Sequence, residues 1–175
     1  MFAGGCHDAT RVLYLQEIGR IPVETTAVDH TDTRIINSLQ ENGRMSFADL
    51  GAEVGLSPHG AAARVRRLQA AGVITGFTTT VALAKVGRAL DAFIDVSLLP
   101  KTSPETFEAF VASLPATQEL AFVTGRFDYH VRVACHDADD LDQTVRAIRR
   151  NGGASLTETR IVLRSTTISH PLGVP

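Results

Sequence analysis

Residues 45–74, MSFADLGAEVGLSPHGAAARVRRLQAAGVI, leave this chain few ways to fold. They read as two short helices joined by a tight turn. Ser46 caps the first, with Asp49 three residues on as a weaker reciprocal partner. Leu50 and Val54 share one face, and Gly55 stops the helix. Ser57 and Pro58 then supply the cap and first residue of the second helix.

That second helix has a sorted surface. Ala61, Val65 and Leu68 form the core-facing stripe. Gly60, Ala63 and Arg67 lie opposite it, and His59, Arg64 and Arg66 flank it. Three arginines and no acid occur between Pro58 and Leu68. Two helices, a glycine-containing turn and a basic outer face match the helix-turn-helix, whose second helix enters the DNA major groove. The plainer alternative is a surface helical hairpin whose arginines are only solvated. Ser57, His59, Gly60, Ala63, Arg64, Arg66 and Arg67 are the candidate DNA-facing residues. Gly60 costs about 1 kcal/mol of helix propensity against Ala and offers a base no side chain. Ala63 reads at most a thymine methyl. Direct readout therefore falls on His59, Arg64 and Arg67, and DNA bendability carries more of the specificity. Arg64 has an alternative role, an ion pair with an acid of the preceding helix.

A third helix precedes these two. Asp29 or Thr31 caps it, Ile35, Ile36 and Leu39 give its apolar face, and Asn42-Gly43 ends it. Its stripe covers Leu50, Val54, Val65 and Leu68, because short helices are unstable alone in water. The unit so defined spans residues 29–76. Before it, residues 1–28 read as a loop-like extension with a possible short helix near Val12, Leu15 and Ile18 and no assigned function. After it, residues 77–87 read as a linker strand on the strength of the β-prone Thr78-Thr79-Thr80-Val81 run.

From residue 88 to 175 the pattern is strand, helix, strand, strand, helix, strand. Ala92, Ile94, Val96 and Leu98 alternate with polar neighbours. Ser103-Pro104-Glu105 opens a helix with Phe107, Phe110, Val111 and Leu114 inward. Residues 120–124 form a second strand, and Gly125-Arg126-Phe127-Asp128 turns the chain into a third that buries Tyr129, Val131, Val133 and Cys135. Asp137 or Asp139 starts a second helix, with Leu141, Val145 and Ile148 inward, and Asn151-Gly152-Gly153 ends it. A last strand alternates Thr159, Ile161 and Leu163 with Arg160, Val162 and Arg164. This βαββαβ order is the ferredoxin-like arrangement, one antiparallel sheet with two helices on one face. The whole chain is thus α+β, a three-helix helix-turn-helix domain followed by a linker strand and a ferredoxin-like domain. Phe93, Val123 and Val162 fall out of phase with their strands, so the uncovered sheet face is partly apolar and predicts a dimer across it. Two reading heads on a two-fold axis then engage half-sites about one helical turn apart.

Composition narrows the function further. With 44% hydrophobic and 21% charged residues the chain is ordinary globular protein, and a formal charge of −2 excludes a wholly basic nucleic-acid coat. Two cysteines, Cys6 and Cys135, give no disulfide framework. No apolar run is long enough for a membrane span, and no signal peptide is recognisable, which predicts a cytoplasmic location and no membrane partner. The six histidines show no metal-ligand spacing, so no metal and no cofactor are expected. No nucleophile motif or phosphate loop occurs either, so no catalysis is expected.

The combination resembles the Lrp/AsnC (feast/famine) family of transcription regulators, from about residue 28 to 169. The residues that carry the likeness are VDHTDTRIINSLQENGR, LSPHGAAARVRRLQAAGVITGF and VTGRFDYHVRV, in order and at fitting spacing. The resemblance implies a regulator that binds double-stranded DNA as a homodimer or a ring of dimers. It also implies a small effector, usually an amino acid, bound by the second domain near subunit contacts. Gly125 and Asp128 match the family's hairpin. A glycine lets backbone N–H groups approach a ligand carboxylate, and an aspartate can pair with an α-ammonium. Alternatively Gly125 only supplies a positive φ and Asp128 caps its own turn. Phe122, Ala138 and Arg160 align loosely with positions that influence effector response. One departure stands out: the turn at residues 149–155 is about one residue shorter than the family's, close to the expected pocket. A competing reading is an amino-acid-sensing partner module without useful DNA binding.

Overall fold

The structure, a computed structural model, describes residues 27–166, 168 and 171–173. The expectations for residues 1–26, including Cys6 and the possible short helix, lie outside the described residues. The chain divides into two compact units with the boundary between Thr80 and Val81.

The first unit is three helices. Helix α1, His30–Glu41, starts with a reciprocal cap: Asp32 N–H donates to Asp29 Oδ1 at 2.8 Å and Asp29 N–H donates to Asp32 Oδ2 at 3.1 Å. Helix α2, Phe47–Val54, is capped by Ser46 and closed by Gly55 at φ +77°. Helix α3, Pro58–Ala70, has Ser57 as its cap, the Ser57 Oγ accepting from Gly60 N–H at 3.1 Å. Ile35, Leu50, Val54, Ala61, Val65 and Leu68 are buried together, and Leu39, Val73 and Ile74 pack against them. The helices hold one another because none has enough buried area alone. Residues 168 and 171–173 group with this unit rather than with the sheet domain, which the sequence reading extended to 175. The Asn37 amide brackets Leu172, accepting from its N–H at 2.8 Å and donating to its carbonyl at 3.3 Å.

The linker strand expected at 77–87 is not formed. Residues 75–82 carry no regular structure, and Leu83–Val86 make a 3-10 turn. The β-prone threonines have no ladder partner among the described residues, and propensity without a partner does not make a strand.

The second unit has strand β1, Leu90–Leu98; helix α4, Pro104–Ser113; strand β2, Thr117–Phe122; strand β3, Tyr129–Cys135; helix α5, Ala138–Asn151; and strand β4, Ala154–Ile161. The sheet order is β2-β3-β1-β4 with antiparallel neighbours, the ferredoxin-like topology. Ala92, Ile94, Val96, Tyr129, Val131 and Val133 point toward the helices and are fully buried with Phe107, Val111 and Ile148. Strands β2 and β4 differ from expectation at both ends: β2 stops at Phe122 rather than at residue 124, and β4 starts at Ala154 rather than near Thr159. Strand β2 begins three residues before Leu120, and β4 ends at Ile161, leaving Leu163 96% exposed. The polar Thr117-Gln118-Glu119 run gives no apolar alternation to read, yet Thr117 and Glu119 pair with β3 around an irregularity at Gln118.

The open sheet face also differs. Phe93 is its apolar centre, stacked on His130 at 4.5 Å and covered by Arg132 at 5.7 Å. Around it run polar contacts: a hydrogen bond between Asp95 and His130 Nδ1 at 2.6 Å, and ion pairs of Asp95 with Arg160 and of Asp91 with Arg132, each at 2.6 Å. Val123 lies just past β2 and is half-buried, its N–H donating to the Asp128 carbonyl across the hairpin.

Candidate nucleic-acid interface and effector region

Helix α3 turns its apolar stripe into the three-helix core and leaves His59, Ala63, Arg66 and Arg67 exposed. Gly60 is half-buried at the first turn, where a Cβ would lie 3.2 Å from Ser57 Oγ. Arg66 takes part in no ion pair among the described residues. The other two arginines do. Arg64 Nη1 donates to Asp29 Oδ2 at 2.5 Å and to Asp32 Oδ1 at 2.9 Å, and Arg67 Nη2 pairs with Asp32 Oδ2. Both pairs of residues are three apart on their helices, so Asp29 and Asp32 meet Arg64 and Arg67 in register. The acids come from the start of α1, not from α2, which immediately precedes α3. Direct base readout by Arg64 and Arg67 thus competes with an intramolecular partner.

These contacts set the charge state of the cluster. The Arg64 guanidinium, helped by the Asp32 N–H, holds the Asp29 carboxyl well below the ordinary range, at about 2. Burial pushes Asp32 upward, but hydrogen bonds from Arg67, Arg64 and the Asp29 N–H outweigh it and the net direction is down. Arg64 is raised by Asp29 and Asp32. The sign of the pH effect follows. Below about pH 4 the unfolded chain takes up protons that these folded carboxylates refuse, so the unit's stability is full above about pH 4 and falls as pH approaches 2. Thermal midpoints between pH 5 and 2 are therefore expected to drop for the helical unit, and Asp29→Asn is expected to flatten that drop. An equally steep acid limb in the variant would assign the drop elsewhere.

The effector candidates fall in three places. Gly125 adopts φ +120° in the β2–β3 turn with open space where a Cβ would sit, so conformation rather than crowding requires it. Asp128 ties that turn to the neighbouring strand rather than capping its own: its Oδ2 accepts from Leu98 N–H at 2.8 Å, and its N–H donates to the Val96 carbonyl at 2.9 Å. Phe122 ends β2 nearby, 37% exposed, with its ring edge-on to Tyr129 at 5.2 Å. Ala138 opens α5 beyond the far end of β3, roughly 20 Å away at strand rise. Arg160 is on the open face, held by Asp95. Within one chain only Gly125, Asp128 and Phe122 share a neighbourhood.

The stretch 149–155 is mostly helix end and strand start, and the turn between α5 and β4 is only Gly152 and Gly153, a tightness with a physical basis. Gly153, at φ +72°, presents its carbonyl to Thr102 Oγ1 at 3.0 Å and to Leu99 N–H at 2.9 Å. A Cβ there would lie 2.2 Å from Thr102 Oγ1, so glycine is required by space as well as by φ.

The sequence reading missed Asp32 as an arginine partner and Gly51 as a contact point. The matched D-x-x-D and R-x-x-R spacings were the available signal for the first. Gly51 had none, because its need arises where α2 meets the turn into α3: a Cβ would fall 2.6 Å from the Leu56 carbonyl oxygen.

A three-helix unit with a basic third helix, joined to a ferredoxin-like domain, defines a class of DNA-binding regulators that carry a separate sensor domain. Comparison with known proteins fixes the family. The AsnC-type helix-turn-helix domain matches residues 28–69 and the Lrp/AsnC ligand binding domain matches residues 91–172. The HTH-type transcriptional regulator YezC of Bacillus subtilis is 33% identical over 144 residues, covering 82% of this chain and 99% of its own. The leucine-responsive regulatory protein of Escherichia coli is 32% identical over 149 residues, covering 83% and 90%. A transcriptional regulator from Neisseria meningitidis, solved in complex with L-Met, superposes with a TM-score of 0.77 at 28% identity, covering 84% and 97%. The chain belongs to the Lrp/AsnC family of transcriptional regulators. Among the described residues no helix is long and apolar enough to cross a membrane, and no cluster of three His, Cys, Asp or Glu is placed to hold a metal ion.

Proposed function

We propose that this regulator binds duplex DNA through Ser57, His59, Gly60, Ala63, Arg64, Arg66 and Arg67 and answers to an amino acid. The domain order is residues 29–76 as reader, 77–87 as linker and 88–166 as sensor and assembly domain. The observation that carries the proposal is α3 itself, apolar inward with His59 and Arg66 exposed beside a capped turn. The L-Met bound to the Neisseria meningitidis relative supports an amino-acid effector. Gly125 and Asp128 form the ligand's two poles beside Phe122. Ala138 acts on it from a neighbouring subunit, since the length of β3 separates it from the hairpin within one chain, and Arg160 acts from the open sheet face. The protein works as a homodimer or ring of dimers in the cytoplasm, by binding alone and without catalysis. An effector shifts the assembly by differing affinity for its arrangements.

The deciding experiment is fluorescence anisotropy with a duplex from upstream of the protein's own gene, at fixed salt, adding single amino acids in turn. Tight binding shifted by one amino acid is the expected result. In that case Asp128→Ala is expected to abolish the shift while DNA affinity without effector stays within about twofold. Asp29 and Asp32 favour a second reading, a sensing module without useful DNA contact, because they neutralise two of the three α3 arginines. A salt titration separates the two, since phosphate contacts give a log–log slope of about −0.9 each.

A further inference from the structure

The charges on the reading helix are arranged in an unusual way for a DNA-facing surface. Asp29, Asp32, Arg64 and Arg67 sum to zero. Asp32 is wholly buried and fixed by its place in the cap of α1, so it cannot follow a departing arginine. The arginines differ. Arg64 is 32% and Arg67 51% exposed at the side chain, each at the end of a long arm that can swing toward solvent. Arg66, on the same helix, has no such anchor among the described residues.

We propose that Asp29 and Asp32 are positioning residues for DNA recognition, an acidic latch that keeps Arg64 and Arg67 off the phosphate backbone until a correctly placed acceptor displaces the carboxylates. A random phosphate meets a guanidinium already paired. It must replace a charge-assisted bond of similar strength and gains little. An operator that places an acceptor in the fork geometry regains that bond and keeps the rest of the interface. The latch lowers the sequence-independent term more than the specific one, which is how discrimination arises without adding contacts. This inference rests on the DNA-binding reading above.

The test uses the full-length protein with Asp29→Asn. Asparagine caps a helix as well as aspartate does, so α1 keeps its start while Arg64 loses one of its two carboxylates. Affinity for a random-sequence duplex is measured by anisotropy across a salt series. The expected result is binding roughly three- to tenfold tighter near about 0.1 M salt, with a log–log slope steeper by up to about one per subunit. Adding Arg64→Ala to the same background is expected to erase the gain, which a change in helix stability would not do. Unchanged random-duplex affinity and slope in a folded Asp29→Asn protein would overturn the latch while leaving DNA binding intact. A gain that survives Arg64→Ala would overturn it as well. Wild-type protein with no salt-dependent duplex binding would remove the DNA-binding reading and the latch together.

Discussion

Replacing Asp32 with Ala is expected to destabilise the helical unit by about 2 to 3 kcal/mol. Its carboxylate is fully buried and receives Arg64, Arg67 and the Asp29 N–H. Removing one partner of a fully buried ion pair costs about 3 to 5 kcal/mol, because a charge is left unmatched in low dielectric. Here the two guanidiniums are part-exposed and can turn to water, which lowers the figure. Loss of one half of the reciprocal cap adds back up to about 1 kcal/mol. Asp32→Asn retains an acceptor for the Asp29 N–H and is expected to lose about half as much. Urea unfolding of the full chain, followed by a probe in the helical unit, measures this as a lower midpoint at unchanged slope. The exposed acid Asp49, whose cap contact with Ser46 is at the surface, serves as comparison. A wild-type midpoint in Asp32→Ala would mean that the two arginines find water at no cost and that the cluster is incidental.

The start of α3 and the order of the sheet domain could be read from the sequence because their signals are local. Ser57 and Pro58 mark a helix start whatever surrounds them, and Tyr129, Val131, Val133 and Cys135 alternate within one strand. Thr117-Gln118-Glu119 could not be read, since their pairing with β3 depends on a neighbour rather than on their own pattern. The same holds for residues 77–87, where propensity suggested a strand and the chain supplies no partner. The open face misled for a related reason. Phe93 does sit there, but His130, Arg132 and Arg160 come from other strands to surround it with hydrogen bonds and paired charge. A proposed dimer across this face therefore meets a polar network as well as an apolar patch. For the effector region, Gly125 and Asp128 lie three residues apart in one turn, whereas the length of β3 separates Ala138 from both.

Gly51→Ala is expected to reverse the usual effect of that substitution. In a helix interior, Ala for Gly normally gains about 1 kcal/mol through propensity and a less flexible unfolded chain. At Gly51 the added Cβ would lie 2.6 Å from the Leu56 oxygen and 3.2 Å from the Ser57 carbonyl carbon and oxygen. All three are backbone atoms, so no side chain can swing aside. The Leu56 N–H also donates to the Gly51 carbonyl at 2.8 Å, which pins the turn at this spot. Overpacking of this kind costs about 1 to 3 kcal/mol, enough to cancel the propensity gain and leave a net loss. The only relief is to push the turn, and with it the start of α3, away from α2. That changes the angle at which the reading helix meets the groove, so specific DNA affinity is expected to fall by about tenfold or more, the equivalent of roughly 1.4 kcal/mol. Gly60→Ala provides the contrast on the same motif. Its Cβ meets the Ser57 hydroxyl at 3.2 Å and the Leu56 Cβ at an ordinary 3.8 Å, and stability is expected to stay within about 1 kcal/mol of wild type or rise. Thermal melts of the two variants should therefore move in different directions. If Gly51→Ala melts at or above wild type and still reads its operator, the turn has room to relax, and close approach of α2 to the turn is not what sets the reading helix in place.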